Sequence, residues 1–317
     1  TIFEKGEGAY NTNPQSVRPG MQKQQWAYAR LYSAVNPSSK AHKIDKTHLS
    51  IDNAESRGFL HRDYIAHCLR WTHVVKHLAQ QQRYKTARIL DIGCGKEIPM
   101  AKLMHSSRME PTAYYAVDVN NLVLPEQFKN AKWKPRLAGK TDVCDLRPTD
   151  FESGVPNIIS CFEVLEHVAP EHSRRMLAKI YELLEPEGIA FISTPCWDPQ
   201  VGAANNHINE MTYEALGAMI EDVGFGIQGH WGTFASIKDY KDELTQAQKE
   251  VFNDLRTYYD TNYLATIMAP LVPHKSRNVI WQLEKPAHNE TYGRHFKNLR
   301  DVEGQWSSSD DWRQLQP

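Results

Sequence analysis

Ala87-Arg88-Ile89-Leu90-Asp91-Ile92-Gly93-Cys94-Gly95-Lys96-Glu97 is the stretch that decides the fold. Ile89, Leu90 and Ile92 form a short apolar run suited to a central parallel strand, and Gly93 and Gly95 follow at once. Glycine is the residue a chain uses to turn tightly and to let a ligand approach its backbone. Ile98 to Ser107 reads as a helix, with Pro99 in its first turn, where the missing N–H costs nothing. Strand, glycine turn and helix together favour the polar end of a nucleotide-like ligand, through backbone amides and a helix N-terminus.

Further units of the same kind follow. Ala113 to Val117 reads as a second strand ending in Asp118, about where a doubly wound fold places a carboxylate for ribose hydroxyls. The acidic turn Thr141-Asp142-Val143-Cys144-Asp145-Leu146 precedes a strand, Asn157 to Phe162, which runs into Glu163-Val164-Leu165-Glu166-His167. After a helix and Leu184-Glu185-Pro186-Glu187-Gly188 comes the strand Ile189 to Ser193, closing in Thr194-Pro195. Thr212 leads into a helix, Tyr213 to Val223, stopped by Gly224 as a glycine C-cap stops one. Phe225 to Gly232 and Ser276 to Glu284 read as sixth and seventh strands, and the insertion between them, Thr233 to Lys275, carries helical spacing. The expected fold is α/β, a doubly wound, seven-stranded Rossmann-like sheet with an N-terminal helical extension and inserted helices.

This succession resembles the class I S-adenosylmethionine-dependent methyltransferases from about Arg88 to Lys285. The resemblance implies that Asp91, Gly93 and Gly95 hold the methionyl end of the cofactor and that Asp118 takes the ribose hydroxyls. Asp142 and Val143 would reach adenine, while Phe162 and Glu163 would border the sulfonium. Glu97 stands where the family usually has a third glycine. In the same family the seventh strand lies antiparallel at the sheet edge, and leading helices often roof the cofactor pocket, which would bring Arg62, Arg70 and Trp71 of the amphipathic stretch Leu60 to Gln81 toward cofactor or substrate.

Three chemistries are open at the reacting centre. His167 can serve as general base, since an unperturbed imidazole titrates near neutrality; its plainer role is capping or packing. Alternatively, Glu163, Glu166 and His167 stand at i, i+3 and i+4, and if that turn is helical they share a side. With His207 from the loop after the fifth strand they make a donor set for a divalent ion such as Mg, Mn, Fe, Co or Zn. This set is similar to that of the metal-dependent small-RNA terminal 2'-O-methyltransferases and the ubiquinone-pathway O-methyltransferases, where, as the resemblance implies, an ion binds substrate hydroxyls. A covalent route through Cys196 is disfavoured, because the partner motif reads Cys161-Phe162-Glu163 without the proline that cysteine-dependent RNA cytosine methyltransferases carry. An Asn-Pro-Pro-Tyr amino-methyltransferase motif is also missing. The candidate catalytic residues are His167, Glu163 and His207.

Composition narrows the classes. The chain has 317 residues, 41% hydrophobic and 24% charged, as in a water-soluble globular protein. It shows no apolar run of membrane-spanning length, and Thr1-Ile2-Phe3-Glu4-Lys5 lacks a signal-peptide pattern. The five cysteines are scattered without Cys-x-x-Cys spacing, so a reducing, cytoplasmic compartment is expected and neither a zinc site nor a disulfide framework is suggested. Three parts are expected: a basic arm and helical lid over 1–86, a methyltransferase core over 87–285 with the insertion 233–275, and a polar tail over 286–317. The lid has 13 Lys and Arg against 6 Asp and Glu, which is either an ordinary solvated surface or a means of drawing an anionic acceptor, nucleic acid or small molecule, to the pocket. The tail carries Trp306 and Trp312 and would wrap the domain or bind a partner. Function therefore reads as S-adenosylmethionine-dependent O-methyl transfer, with nucleic-acid methylation or a catalytically silent cofactor-binding scaffold as alternatives. A nicotinamide dehydrogenase is disfavoured, since its fingerprint wants glycine where Ile98 stands. The acceptor's identity and the oligomeric state are not encoded in any motif.

Overall fold

Strand β1 (Arg88–Ile92) forms where the apolar run predicts it, and its pleat sorts the side chains. Leu90 and Ile92 enter one core with Ile159, Leu177, Ile180 and Trp281, while Ile89 enters a second with Val74, Leu78, Met104 and Phe191. Both faces of the strand are thus covered, as a parallel sheet requires. The computed structural model that shows this describes residues 7, 10–12, 21–35, 39, 40, 62–287, 290–298, 301, 302 and 307. Trp306, Trp312, Leu60 and most of the residue 1–19 arm lie outside the described residues.

The chain divides into two compact units, Thr1–Ile65 and Ala66–Pro317. In the first, the helix α1 spans Lys23–Val35. Helix α2 (Arg62–Ala79) begins at the boundary, and its residues Val74, Val75 and Leu78 are buried within the second unit. The sheet then grows through α3 (Pro99–Ser106), β2 (Ala113–Asp118), β3 (Arg136–Gly139), β4 (Ile158–Phe162), α4 (Pro170–Leu183), β5 (Ile189–Pro195), α5 (Tyr213–Val223) and β6 (Gly226–Phe234). The insertion supplies α6 (Ile237–Tyr240), α7 (Gln246–Leu255) and α8 (Thr261–Met268), and β7 (Asn278–Glu284) follows.

The strand order is β3-β2-β1-β4-β5-β7-β6, with β1 to β5 parallel and β7 antiparallel to both β5 and β6. The expectation of β7 at the sheet edge is therefore corrected: β6 is the edge strand. Burial gives the reason. Val279, Ile280, Trp281 and Leu283 of β7 are all buried, whereas β6 is largely half-exposed between Ile227 and Trp231. A strand apolar on both faces belongs inside a sheet.

Helix α5 has the bounds its flanking residues predict. Thr212 caps it, its side chain accepting from Ala215 N at 3.1 Å, and Gly224 ends it at φ +111. The described tail lies on this helix. Glu221 accepts from His295 N at 2.6 Å and Phe296 N at 3.0 Å, and the Phe296 ring sits so close to Gly217 that a Cβ there would meet it at 2.7 Å.

Asp91 points the same way as Ile89, under the sheet end, and is buried. Its carboxylate accepts from the Tyr114 hydroxyl at 2.6 Å and the Ser160 hydroxyl at 2.7 Å. Burial pushes its pKa up to about 6, the two hydroxyls pulling the other way. Because the folded-state value lies above the ordinary one near 4, the stability linked to Asp91 is present at low pH and is lost as pH rises through about 6. Asp91→Asn stays neutral, so its stability relative to wild type should rise between pH 4 and pH 7 by up to about 3 kcal/mol, two pKa steps' worth. Denaturant melts of both proteins across that range check it, and parallel curves would show that Asp91 does not titrate there.

Candidate functional site

The C-terminal ends of β1, β2 and β4, with the loop after β3, enclose a cavity of about 370 Å³, in the size range of small-molecule sites. Crevices at this end of a doubly wound sheet are where such folds bind ligands. Gly93, Asp118, Asn120, Thr141, Asp142 and Val143 line it toward β2 and β3, and Glu163, Val164, His167 and His172 toward β4 and α4.

The glycine turn is built for this place. Gly93 at φ +65 donates to Val117 O at 2.8 Å, and a Cβ on it would meet Val164 Cγ2 at 2.3 Å, so no larger residue fits. Gly95 at φ +66 faces open space, with nothing within 4 Å of a Cβ position, and its N–H donates to Asp118 Oδ2 at 3.0 Å. Left-handed backbone at two of three positions is what glycine supplies cheaply. Asp118 accepts through its other oxygen from Asn120 N at 2.8 Å and Asn120 Nδ2 at 3.0 Å. Three donors leave part of a carboxylate's acceptor capacity free.

Asp142 caps the short turn Val143–Asp145, accepting from Cys144 N at 2.8 Å. Its second oxygen lies 2.9 Å from His172 Nε2, on the first turn of α4. Asp142, Cys144 and His172 bring one ligand-type atom each within 4.8 Å of one another. His172 was not singled out from sequence, though a histidine three residues into a helix that starts at a sheet end was a readable signal. Thr141 and Asn120 were missed likewise; Asn120 follows the acid that ends β2, and Thr141 immediately precedes Asp142.

Three expected cofactor residues do not line the cavity: Gly95, Asp91 and Phe162. Asp91 is turned onto Tyr114 and Ser160 by strand alternation and does not line the cavity; it ties β1 to β2 and β4. Phe162 packs against the core on the Ile89 face and does not line it either.

Around β4 the residues regroup. Glu166, His167 and His207 come together, with one ligand-type atom of each within 4.8 Å of the others, and the two imidazoles meet edge to face at 4.9 Å. Glu163 does not join them, which corrects the expected four-residue set. It sits at φ +57, outside the 3-10 turn Leu165–His167, so the i, i+3, i+4 geometry of a continuous helix does not apply. Its carboxylate instead accepts from Ser193 Oγ at 2.8 Å and Asn278 Nδ2 at 2.8 and 3.0 Å, and pairs with Arg70 Nη2 at 3.0 Å. Arg70 of α2 thus reaches the site through Glu163; Trp71 packs at the core margin and His67.

Both histidines are oriented through Nδ1. His167 Nδ1 lies 3.0 Å from Asn206 O, and His207 Nδ1 lies 2.5 Å from Glu210 Oε1. Glu166 is buried, accepts from the Thr194 hydroxyl at 3.1 Å, and has its pKa pushed up to about 8 by burial and then by the neighbouring charge of Glu163. Cys196 is held in the thiol form, its pKa raised first by burial, which does not suit a nucleophile.

A mostly parallel α/β sheet with a cavity at its strand ends is the architecture of a doubly wound fold. The family model for the methyltransferase domain matches residues 60–269, and the chain belongs to that family, as an S-adenosylmethionine-dependent methyltransferase. No curated protein matches the chain in sequence. Among solved structures it is similar to magnesium protoporphyrin IX methyltransferase from Synechocystis PCC 6803, at 12% identity and TM-score 0.47, over 88% of this chain and 97% of that one. It is also similar to 1,6-didemethyltoxoflavin-N1-methyltransferase from Burkholderia thailandensis, at 15% identity and TM-score 0.44, over 85% and 93%. The [4+2]-cyclase SpnF is similar at 14% identity and TM-score 0.45, over 68% and 80%. No helix among the described residues is long and apolar enough to cross a membrane.

Proposed function

We propose that the protein transfers the methyl group of S-adenosylmethionine to a hydroxyl oxygen of its acceptor, at the wall where Glu166, His167 and His207 meet the cofactor cavity. The carrying observation is that His167 belongs to both: it lines the cavity and stands in the Glu166, His167, His207 group. Asp118 would accept from the ribose hydroxyls, and Asp142 with the backbone at Val143 would meet adenine. The open space at Gly95 gives room for the methionyl end.

Transfer is an in-line displacement. The sulfur–methyl bond breaks as the oxygen–methyl bond forms, the sulfonium becomes a neutral thioether, and the hydroxyl proton must go to a base. With Nδ1 of His167 and of His207 engaged, Nε2 is the nitrogen left to take that proton.

The same donors suit a divalent ion. Two imidazoles and one carboxylate, each imidazole anchored by an outer partner at Nδ1, are the pattern of a metal site with open positions. Glu166, His167 and His207 would hold the ion, which would supply Lewis-acid polarisation of the acceptor hydroxyl.

The test is transfer of label from radiolabelled cofactor into small-molecule and nucleic-acid fractions of a cell extract, followed by identification of the labelled bond. A methyl–oxygen bond is expected. Label found on nitrogen or carbon would overturn oxygen as the acceptor atom. Capture that weakens steeply with salt would indicate a polyanionic acceptor drawn by the basic N-terminal segment.

A further inference from the structure

Arg70 is the buried half of an ion pair with the half-buried Glu163, and stability does not explain its burial. The Arg70 guanidinium is 4% exposed, and its Nε has no hydrogen-bond partner among the described residues, although Nη1 lies 2.7 Å from His67 Nδ1 and Nη2 lies 3.0 Å from Glu163 Oε2. Burying a guanidinium with one donor unsatisfied is costly, and apolar residues in place of a buried pair are often as stable or more so. Glu163 is in left-handed backbone, at φ +57, and lines the cavity next to Val164 and His167. A reason for the pair lies in the charge change of the reaction.

S-adenosylmethionine enters positive at sulfur and leaves as a neutral thioether. A bare carboxylate on the wall beside the sulfonium would hold the charged ground state more tightly than the transition state, in which that charge is already dissipating. Such one-sided ground-state binding slows the chemical step. Glu163 lines the cavity, and among the described residues it pairs with Arg70.

We propose that Arg70 is a charge-balancing residue, which by pairing with Glu163 keeps the wall beside the sulfonium close to neutral and so sets the relative affinity for cofactor and product. The inference rests on the cofactor placement proposed above. Ser193 and Asn278 continue to donate to Glu163 when Arg70 is removed. Lysine would keep the charge without the planar fork, so it separates charge from shape.

The experiment is calorimetric titration of wild type, Arg70→Met, Arg70→Lys and Glu163→Gln with S-adenosylmethionine and, separately, S-adenosylhomocysteine. Arg70→Met should bind the sulfonium about fivefold to tenfold tighter, a fraction of what Coulomb attraction near a protein surface allows, with product affinity unchanged and kcat reduced. Glu163→Gln should weaken the sulfonium form alone, and Arg70→Lys should restore the wild-type ratio. An unchanged ratio in Arg70→Met and Glu163→Gln, or loss of both ligands in step, would overturn the proposal and leave the pair structural. If Arg70→Met does not fold, the Glu163→Gln ratio decides alone. Wild type binding neither ligand would instead bring down the cofactor placement on which the inference stands.

Discussion

Asp118→Ala is expected to weaken S-adenosylmethionine and S-adenosylhomocysteine alike, by about tenfold to a hundredfold. Hydrogen bonds to a charged group contribute about 1.5 to 3 kcal/mol, and each factor of ten in affinity corresponds to about 1.4 kcal/mol. Two losses add here. The proposed ribose contact goes, and so does the anchor of the glycine turn, since Asp118 Oδ2 is the acceptor for Gly95 N. Asp118→Asn keeps the shape but replaces one acceptor oxygen by an amide donor that faces either Gly95 N–H or the Asn120 donors, so it should rescue little. Asn120→Ala removes a single side-chain donor and should be mild. Because ribose is common to both ligands, their affinities should fall together, unlike the unequal changes expected at Arg70. Calorimetry with both ligands checks this, and undiminished binding to Asp118→Ala would take Asp118 out of the site.

The parts of this fold that were readable in the sequence are those decided by neighbours in the chain. β1 follows from an apolar run closed by two glycines, and α5 from Thr212 and Gly224, each acting within one turn of its helix. Asp91 was half readable: its polar side chain in an apolar strand was evident, and alternation alone places it on the Ile89 face, away from the cavity. What escaped depends on distant partners. Glu163 looks like a member of a helical Glu-x-x-Glu-His set until Arg70 and Asn278 claim its carboxylate, the latter from 115 residues away. β7 takes an interior slot because its apolar residues fill both faces between β5 and β6, while which strands flank it is decided only by packing. The contact of His172 with Asp142 needs α4 to dock its first turn over the loop after β3, which no spacing rule specifies.

The largest expected effect on turnover belongs to His207→Ala. Glu166 and His167 belong to one short turn, but His207 comes from the loop after β5, held there by Glu210 and by backbone bonds from Ile208 N and Asn209 N to Glu166 O. Removing it takes away either a ligand or a partner of the His167 imidazole, without touching the residues proposed to hold the cofactor. General-base contributions are typically about a hundredfold to ten-thousandfold, so kcat should fall by at least about a hundredfold while cofactor affinity changes little. Chelation separates the two forms of the mechanism. If Glu166, His167 and His207 hold an ion, exhaustive chelation abolishes turnover, metal add-back restores it in wild type and not in His207→Ala, and elemental analysis finds the ion in proportion to protein. The raised pKa of Glu166 adds a pH signature: an ion must displace its proton, so metal affinity should climb as pH rises toward about 8. Full turnover in chelator would assign the proton to His167 alone. A His207→Ala enzyme that is as fast as wild type would take His207 and any ion out of the reaction and leave His167 as the base.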